Sequence, residues 1–412
     1  MSVSERLGHV SDSNSSAQGS RSTLFILLSI VVVDLIGFGI VMPVLPFYAR
    51  DFGVTATTLG LLMMSYAAAQ FVCAPLWGRL SDRVGRRPVI LFSVAGTSAS
   101  LLFFGLAESI LWLFVARVLA GGFAANVSVA SAYITDVTNE EERTRWMGML
   151  GASFGVGFIL GPIIGGLLSP LGYRVPMLVA AGLAFINLIY AAFSLKEPDR
   201  HVDRGATAVS ASRFSVLRGP EVRRLCLIYF VYSIAVSQLE TIFAFFMIDR
   251  FEFDALEVAW IFVGMAIVMG GIQGGGMKPL SARYSEKQLV VTGSLLLGLG
   301  FVLLPSAPTW AVLLLPLALA AVGRAITQPP LMSLTSMAAT SDTRGVVMGT
   351  FQSSASLARV VGPVLAGLLY DLAEPGPFYL AAALMGLAFL LSRRLPERGD
   401  EPADAVPVTL GG

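Results

Sequence analysis

The sequence predicts an all-α membrane protein with twelve transmembrane helices arranged as two six-helix bundles. Three observations predict it. The composition is 55% hydrophobic and only 13% charged, with a mean hydropathy of +0.75, which fits a polytopic membrane chain rather than two or three soluble domains. The apolar residues fall into twelve segments, most of them near the ~20 residues a helix needs to cross roughly 30 Å of hydrocarbon. The second half also repeats the first. Shifting the chain by 201 residues lays Arg143–Leu168 over Arg344–Leu369 with 9 identities in 26 positions, Gly161-Pro162 falling on Gly362-Pro363. Parallel repeats of six helices imply a pseudo-two-fold axis along the membrane normal, with a substrate site between the halves.

In chain order, residues 1–23 are polar and serine-rich and are expected to form a disordered tail without a cleaved targeting segment. The first bundle occupies 24–195, with apolar segments at 24–48, 57–78, 88–107, 110–136, 145–169 and 175–195. Residues 196–222 hold Pro198, Pro220 and much of the mid-chain charge and read as a linker. The second bundle, 223–394, has segments at 223–248, 255–277, 288–306, 309–335, 346–370 and 377–394, and a tail follows at 395–412. With the N-terminus inside, 22 basic residues lie on the cytoplasmic side and three (Arg50, Arg174, Arg250) outside. That asymmetry predicts a multi-pass protein of the cell membrane with both termini cytoplasmic.

Several function classes lose support at this stage. A net charge of +1 gives no reason to expect nucleic acid. The three lysines (Lys196, Lys278, Lys287) follow no glycine-rich phosphate loop, so direct nucleotide drive is not expected. His9 and His201 have no metal-like spacing, and Cys73 and Cys226 are single cysteines in apolar runs, better suited to packing than to a disulfide. No enzyme activity, metal or cofactor is expected, and the chain is expected to act as a monomer with small molecules, protons and lipid as its partners.

The most informative stretch is Gly78-Arg79-Leu80-Ser81-Asp82-Arg83-Val84-Gly85-Arg86-Arg87-Pro88, set between two apolar runs. Its glycines permit a tight reversal, Pro88 suits the first turn of the next helix, and Asp82 offers the arginines a partner. The order resembles the loop signature between helices 2 and 3 of the major facilitator superfamily. A second stretch, Gly157-x-x-x-Gly161-Pro162-x-x-Gly165-Gly166, combines a flat glycine strip with a proline and resembles that family's antiporter motif in helix 5. The resemblance implies a major facilitator fold over about residues 24–394 and a switching role for Gly78, Asp82, Arg83, Gly85, Arg86, Arg87 and Asp136. Asp136, at the end of segment 4, is expected to reach the basic turn, with Asp82, Arg83 and Asp136 forming a charge cluster.

Intramembrane charge marks the remaining candidates. Asp34 lies about 15 Å into segment 1 counted from Leu24. A charge there costs on the order of 3 kcal/mol, so it pairs with a neighbouring helix or serves as a proton or cation site. Its surroundings, through Met42-Pro43-Val44-Leu45-Pro46, resemble helix 1 of the drug:proton antiporter branch. Glu240 occupies segment 7, the pseudo-symmetric mate of segment 1, with Gln238 close by, and the two acids are expected to face a shared cavity and couple protons. Arg117 begins Arg117-Val118-Leu119-Ala120-Gly121-Gly122 in segment 4, where the family's signature also begins with arginine. Tyr66, Gln70, Asn126, Arg324 and Arg359 complete the expected cavity. Together these imply proton-coupled export of small, largely apolar compounds, akin to tetracycline and multidrug exporters; a proton-coupled importer or facilitator of a sugar or metabolite is the alternative. Segment 3 (Pro88–Ala107) carries no acid, where tetracycline–metal exporters as a family have one, so a broader substrate is expected.

Overall fold

The computed structural model describes residues 3–198, 217, 219–340 and 343–395, with side chains from residue 22 onward except those of 140, 141 and 144. The expected disordered tail at 1–23 is instead helical from Val3, continuous with the first span, whereas most of the tail at 395–412 and of the linker at 196–222, His201 included, lies outside the described residues. Among the described residues the regular structure is entirely helical. Eleven helices are long and apolar enough to cross a membrane: α1 (Ser22–Arg50), α2 (Ala56–Val84), α3 (Arg86–Gly105), α4 (Ile110–Val137), α5 (Arg145–Leu171), α6 (Arg174–Ser194), α7 (Pro220–Phe251), α8 (Ala255–Arg283), α9 (Glu286–Ser306), α10 (Trp310–Met337) and α11 (Arg344–Leu372). A shorter apolar helix, α12 (Gly376–Ser392), follows. The twelve segments read from hydropathy are thus all present.

Two details depart from that reading. α2 runs on to Val84, so Gly78 is an ordinary helical residue and the reversal is made at Gly85 alone. Gly85 has φ +112°, a conformation L side chains rarely adopt, so one residue suffices to end α2 and start α3. The fourth span is also not one helix: α-helix stops at Phe123 and restarts at Asn126. α8 carries a π-helical stretch at Ile272–Gly276, in its Gly-rich part.

The chain forms two compact units. The first holds α1–α6 with α7 from Ser237, α8 as far as Ile267, and α11 from Arg359 to its end. The second holds α9, α10, α12 and the remaining parts of α7, α8 and α11.

In the first unit, α1 packs most extensively on α5, α2 on α4, and α3 on α6. The glycine strip of α5 explains the first of these. Gly157, Gly161 and Gly165 stand four apart on one face and meet Leu35, Gly39 and Ile40 of α1 backbone to backbone. A Cβ on Gly161 would lie 2.5 Å from the Gly39 Cα, and neither backbone can give way. Gly161→Ala should therefore lower stability by about 1–3 kcal/mol, read as a fall in the melting temperature of the purified protein. Gly151→Ala, where nothing lies within 4 Å, should leave it unchanged.

Gly166 points elsewhere, onto Leu256 and Ala259 at the start of α8. Its repeat mate Gly367 on α11 meets Ala56 and Thr57 at the start of α2. The internal repeat seen in the sequence therefore recurs as one close approach made twice. In the second unit α9 packs on α10 through Gly293, Gly300 and Gly323, and Tyr229 of α7 stacks on Phe351 of α11 at 3.9 Å between ring centroids.

Candidate functional site

Among the described residues, three clusters of polar side chains interrupt this apolar framework, one in mid-span and one at each end of the first unit. The mid-span cluster is built on α1, α2 and α4. Arg117 of α4 is buried, and its guanidinium lies over the Tyr66 ring of α2 at 4.5 Å, with Nη2 reaching Met63 Sδ at 3.5 Å. Tyr66 in turn packs against Phe38 of α1, ring centroids 5.7 Å apart. Arg359 stands exposed on α11. Asp34 Oδ1 and both side-chain polar atoms of Asn126 are shielded from solvent. Of the expected cavity residues, Tyr66 and Arg117 are thus in direct contact. Of the five intramembrane charges singled out from the sequence, Arg117 alone is fully buried.

The other candidates divide. Gln70 is half-buried one turn from Tyr66. Gln238 is completely buried, its Nε2 donating to the Gly362 carbonyl of α11 at 3.1 Å. Glu240 is half-buried and, being two residues on, projects from nearly the opposite side of α7 to Gln238. Arg324 belongs to the second unit.

The first end cluster centres on Arg86, and here the expected triad is corrected. Arg83 is exposed, while Arg86, at the first position of α3, is turned inward by the Gly85 reversal. Arg86 Nη1 binds Asp82 at 2.6 Å and Ser81 Oγ at 2.7 Å, and its Nε binds Asp136 at 2.8 Å. Asp136 thus reaches the basic turn as the sequence suggested, through a different arginine. Arg87 donates to the Ala192 carbonyl of α6 at 2.7 Å. Glu197, which sequence reasoning passed over, accepts the backbone N–H groups of Arg86 and Arg87 at 2.6 and 2.9 Å. A carboxylate on two orphan N–H groups of a helix start is favourable by charge and by hydrogen bonding. Arg86→Ala removes the partner of the half-buried Asp136, Asp82 being solvent-exposed, and should cost about 1.5–3 kcal/mol, whereas Arg83→Ala should cost almost nothing; thermal unfolding of the two variants checks the contrast.

At the opposite end, Arg50 pairs with Asp249 at 2.6 Å, and the Tyr370 hydroxyl donates to the same carboxylate at 2.8 Å. Arg250 pairs with Glu374 at 3.4 Å. Asp371, at the end of α11, accepts the backbone N–H groups of Ala56 and Thr57 at 3.0 and 2.9 Å, capping α2. This cluster was also missed. Its acids stand at the ends of apolar runs, and the bonds from Asp371 to α2 span more than 300 residues of chain.

A bundle of spanning helices with charge and hydrogen-bonding groups at mid-depth and ion-paired ends defines a membrane transporter of small molecules. The chain belongs to the Major Facilitator Superfamily, whose family profile matches residues 27–278 and 276–409. It is 33% identical to the class C tetracycline resistance protein of Escherichia coli, over 85% of this chain and 90% of that one. It is 29% identical to multidrug resistance protein 1 of Bacillus subtilis (strain 168), over 90% and 95% respectively. Among solved structures, the human organic anion transporter MFSD10 superposes with a TM-score of 0.68 at 28% identity, covering 90% of this chain and 99% of that one. A bacterial homologue of the lysosomal transporter Spinster shares the fold, with a TM-score of 0.76 at 18% identity over 91% and 97% of the two chains.

Proposed function

We propose that this protein is a proton-coupled antiporter of the cell membrane that exports small, largely apolar compounds by alternating access, with both termini in the cytoplasm and a single chain as the working unit. The observation that carries the reading is Asp34: a carboxyl in mid-span with one oxygen shielded from solvent, one helical turn from Phe38, which packs on the Tyr66 ring that lies under Arg117. A carboxyl so placed binds a proton or a substrate group, but not both at once, which is the requirement for exchange. Tyr66, Gln70, Arg117, Asn126, Gln238 and Arg359 line the substrate path, and Glu240 on the counterpart helix assists coupling. Likeness to tetracycline and multidrug resistance proteins supports export of such compounds. The α1–α5 glycine seam supports the antiporter reading of the α5 motif. Asp82, Arg86, Arg87 and Asp136 form the cytoplasmic switch around the Gly85 reversal.

The test is proton release from purified protein in weak buffer on adding tetracycline or a lipophilic dye, with uptake into vesicles under pH gradients of both signs. Release on binding, with substrate moving against the proton flow, is expected. Substrate moving with the protons would make the protein an importer. On the proposed orientation, a cysteine at the exposed Arg83 should label only from the cytoplasm and one at Ser109 only from outside; the reverse pattern would invert the assignment of every site.

A further inference from the structure

We propose that Arg117 reads an uncharged acceptor oxygen, such as a ketone carbonyl, on an aromatic substrate held by the rings of Phe38, Tyr66 and Phe158. This deepens the export reading and rests on it. Two close backbone approaches build the place. Gly121 of α4 lies against the Tyr66 carbonyl of α2, where a Cβ would collide, and Arg117 stands one turn before it on the same face. The guanidinium is thereby laid over the Tyr66 ring at 4.5 Å. Gly39 of α1 meets Gly157 of α5, and the residues beside them, Phe38 and Phe158, meet edge to face with ring centroids 6.2 Å apart. Phe38 also packs on Tyr66 at 5.7 Å, so a tier of three half-buried rings spans α1, α2 and α5.

Arg117 is only 6% exposed and is poorly satisfied there. A guanidinium carries five N–H donors. Among the described residues no carboxylate pairs with it, and its Nε is shielded and makes no hydrogen bond. Its Nη2 reaches the Met63 sulfur at 3.5 Å. A thioether is a weak acceptor on a flexible side chain, so an oxygen displaces it readily. Packing α2 on α4 needs no charge, and an apolar residue of similar size would serve as well or better. A buried donor set kept at that cost suits a ligand that brings the acceptor, and the ring tier suits the aromatic body that carries it. The export reading then selects the ligand's charge. Asp34 lies one turn from Phe38 on α1. A substrate carboxylate held at this tier would favour a proton on Asp34, and the two would travel together. A neutral oxygen leaves Asp34 free to exchange its proton.

The test measures binding of fluorenone and fluorene, which differ by one carbonyl oxygen, to the purified carrier. The wild type should bind fluorenone about tenfold or more tightly than fluorene. In Arg117→Met that ratio should fall to about one, while the melting temperature holds or rises because an unpaired buried charge is gone. Arg117→Leu carries the same comparison should methionine prevent folding. Equal affinities in the wild type overturn the proposal, and so does a preference that survives in the variants. A lower melting temperature in both variants, with binding of both compounds lost, makes Arg117 a structural residue and overturns it equally. Fluorene-9-carboxylate binding more tightly than fluorenone would make the place an anion site instead. Vesicles under a pH gradient keep the two readings apart. Dye export without a ketone preference removes the subsite alone, and a ketone preference without export of any compound removes the export reading alone.

Discussion

Asp34→Asn should abolish export driven by a pH gradient while leaving the protein folded and inserted. The asparagine keeps the shape of the carboxyl, and it removes a charge that is costly at mid-span, so folding should not suffer. It cannot exchange a proton, so substrate binding and proton release become uncoupled. Loss of coupling should reduce gradient-driven efflux at least 100-fold, with substrate exchange across the vesicle membrane preserved because exchange needs no net proton movement. Glu240→Gln should weaken export or narrow the range of compounds, since Glu240 stands on the counterpart helix and projects away from Gln238. Intact proton release and efflux in the double variant would move coupling to another group or show that the carrier runs without protons.

Asp371→Asn should open the end of the first unit that carries Arg50 and Asp249. One carboxylate there accepts two N–H groups at the start of α2, and such charge-assisted bonds contribute about 1.5–3 kcal/mol each, net. Asparagine retains one neutral oxygen and loses the attraction to the helix dipole. In a protein whose alternative states differ by a few kcal/mol, that loss should shift the population of the closed end by about tenfold or more. A cysteine replacing the buried Ser237, in a background without Cys73 and Cys226, reports the shift as faster reaction with an impermeant thiol reagent added from outside. The neighbouring Arg250–Glu374 pair is longer, at 3.4 Å, so Glu374→Gln should change the rate less than about fivefold. Equal labelling of Ser237→Cys with and without Asp371→Asn would show that this end is held by packing, through Gly367 against Ala56 and Thr57, rather than by its charges.

The sequence by itself determined that the chain crosses a membrane twelve times, and the internal repeat told that it does so as two related halves. Hydropathy and repetition are properties of the chain that survive folding, so they could be read directly. The glycine strip of α5 was legible for the same reason: residues four apart share a helix face whatever that face meets. It took the tertiary structure to decide what each polar group touches. Arg83 and Arg86 look alike in one dimension, and the positive φ of Gly85 turns the second inward to Asp82 and Asp136. α4 breaks between Phe123 and Asn126, where no proline stands, while Pro75, Pro162 and Pro316 lie inside unbroken helices. The reason is that Trp77 and Ser93, from two other helices, supply the hydrogen bonds the broken backbone lacks. Asp371 and Glu197 cap helices that begin more than 300 and more than 100 residues away. Such pairings depend on where helix ends arrive in space, which a pattern of apolar residues along the chain does not encode.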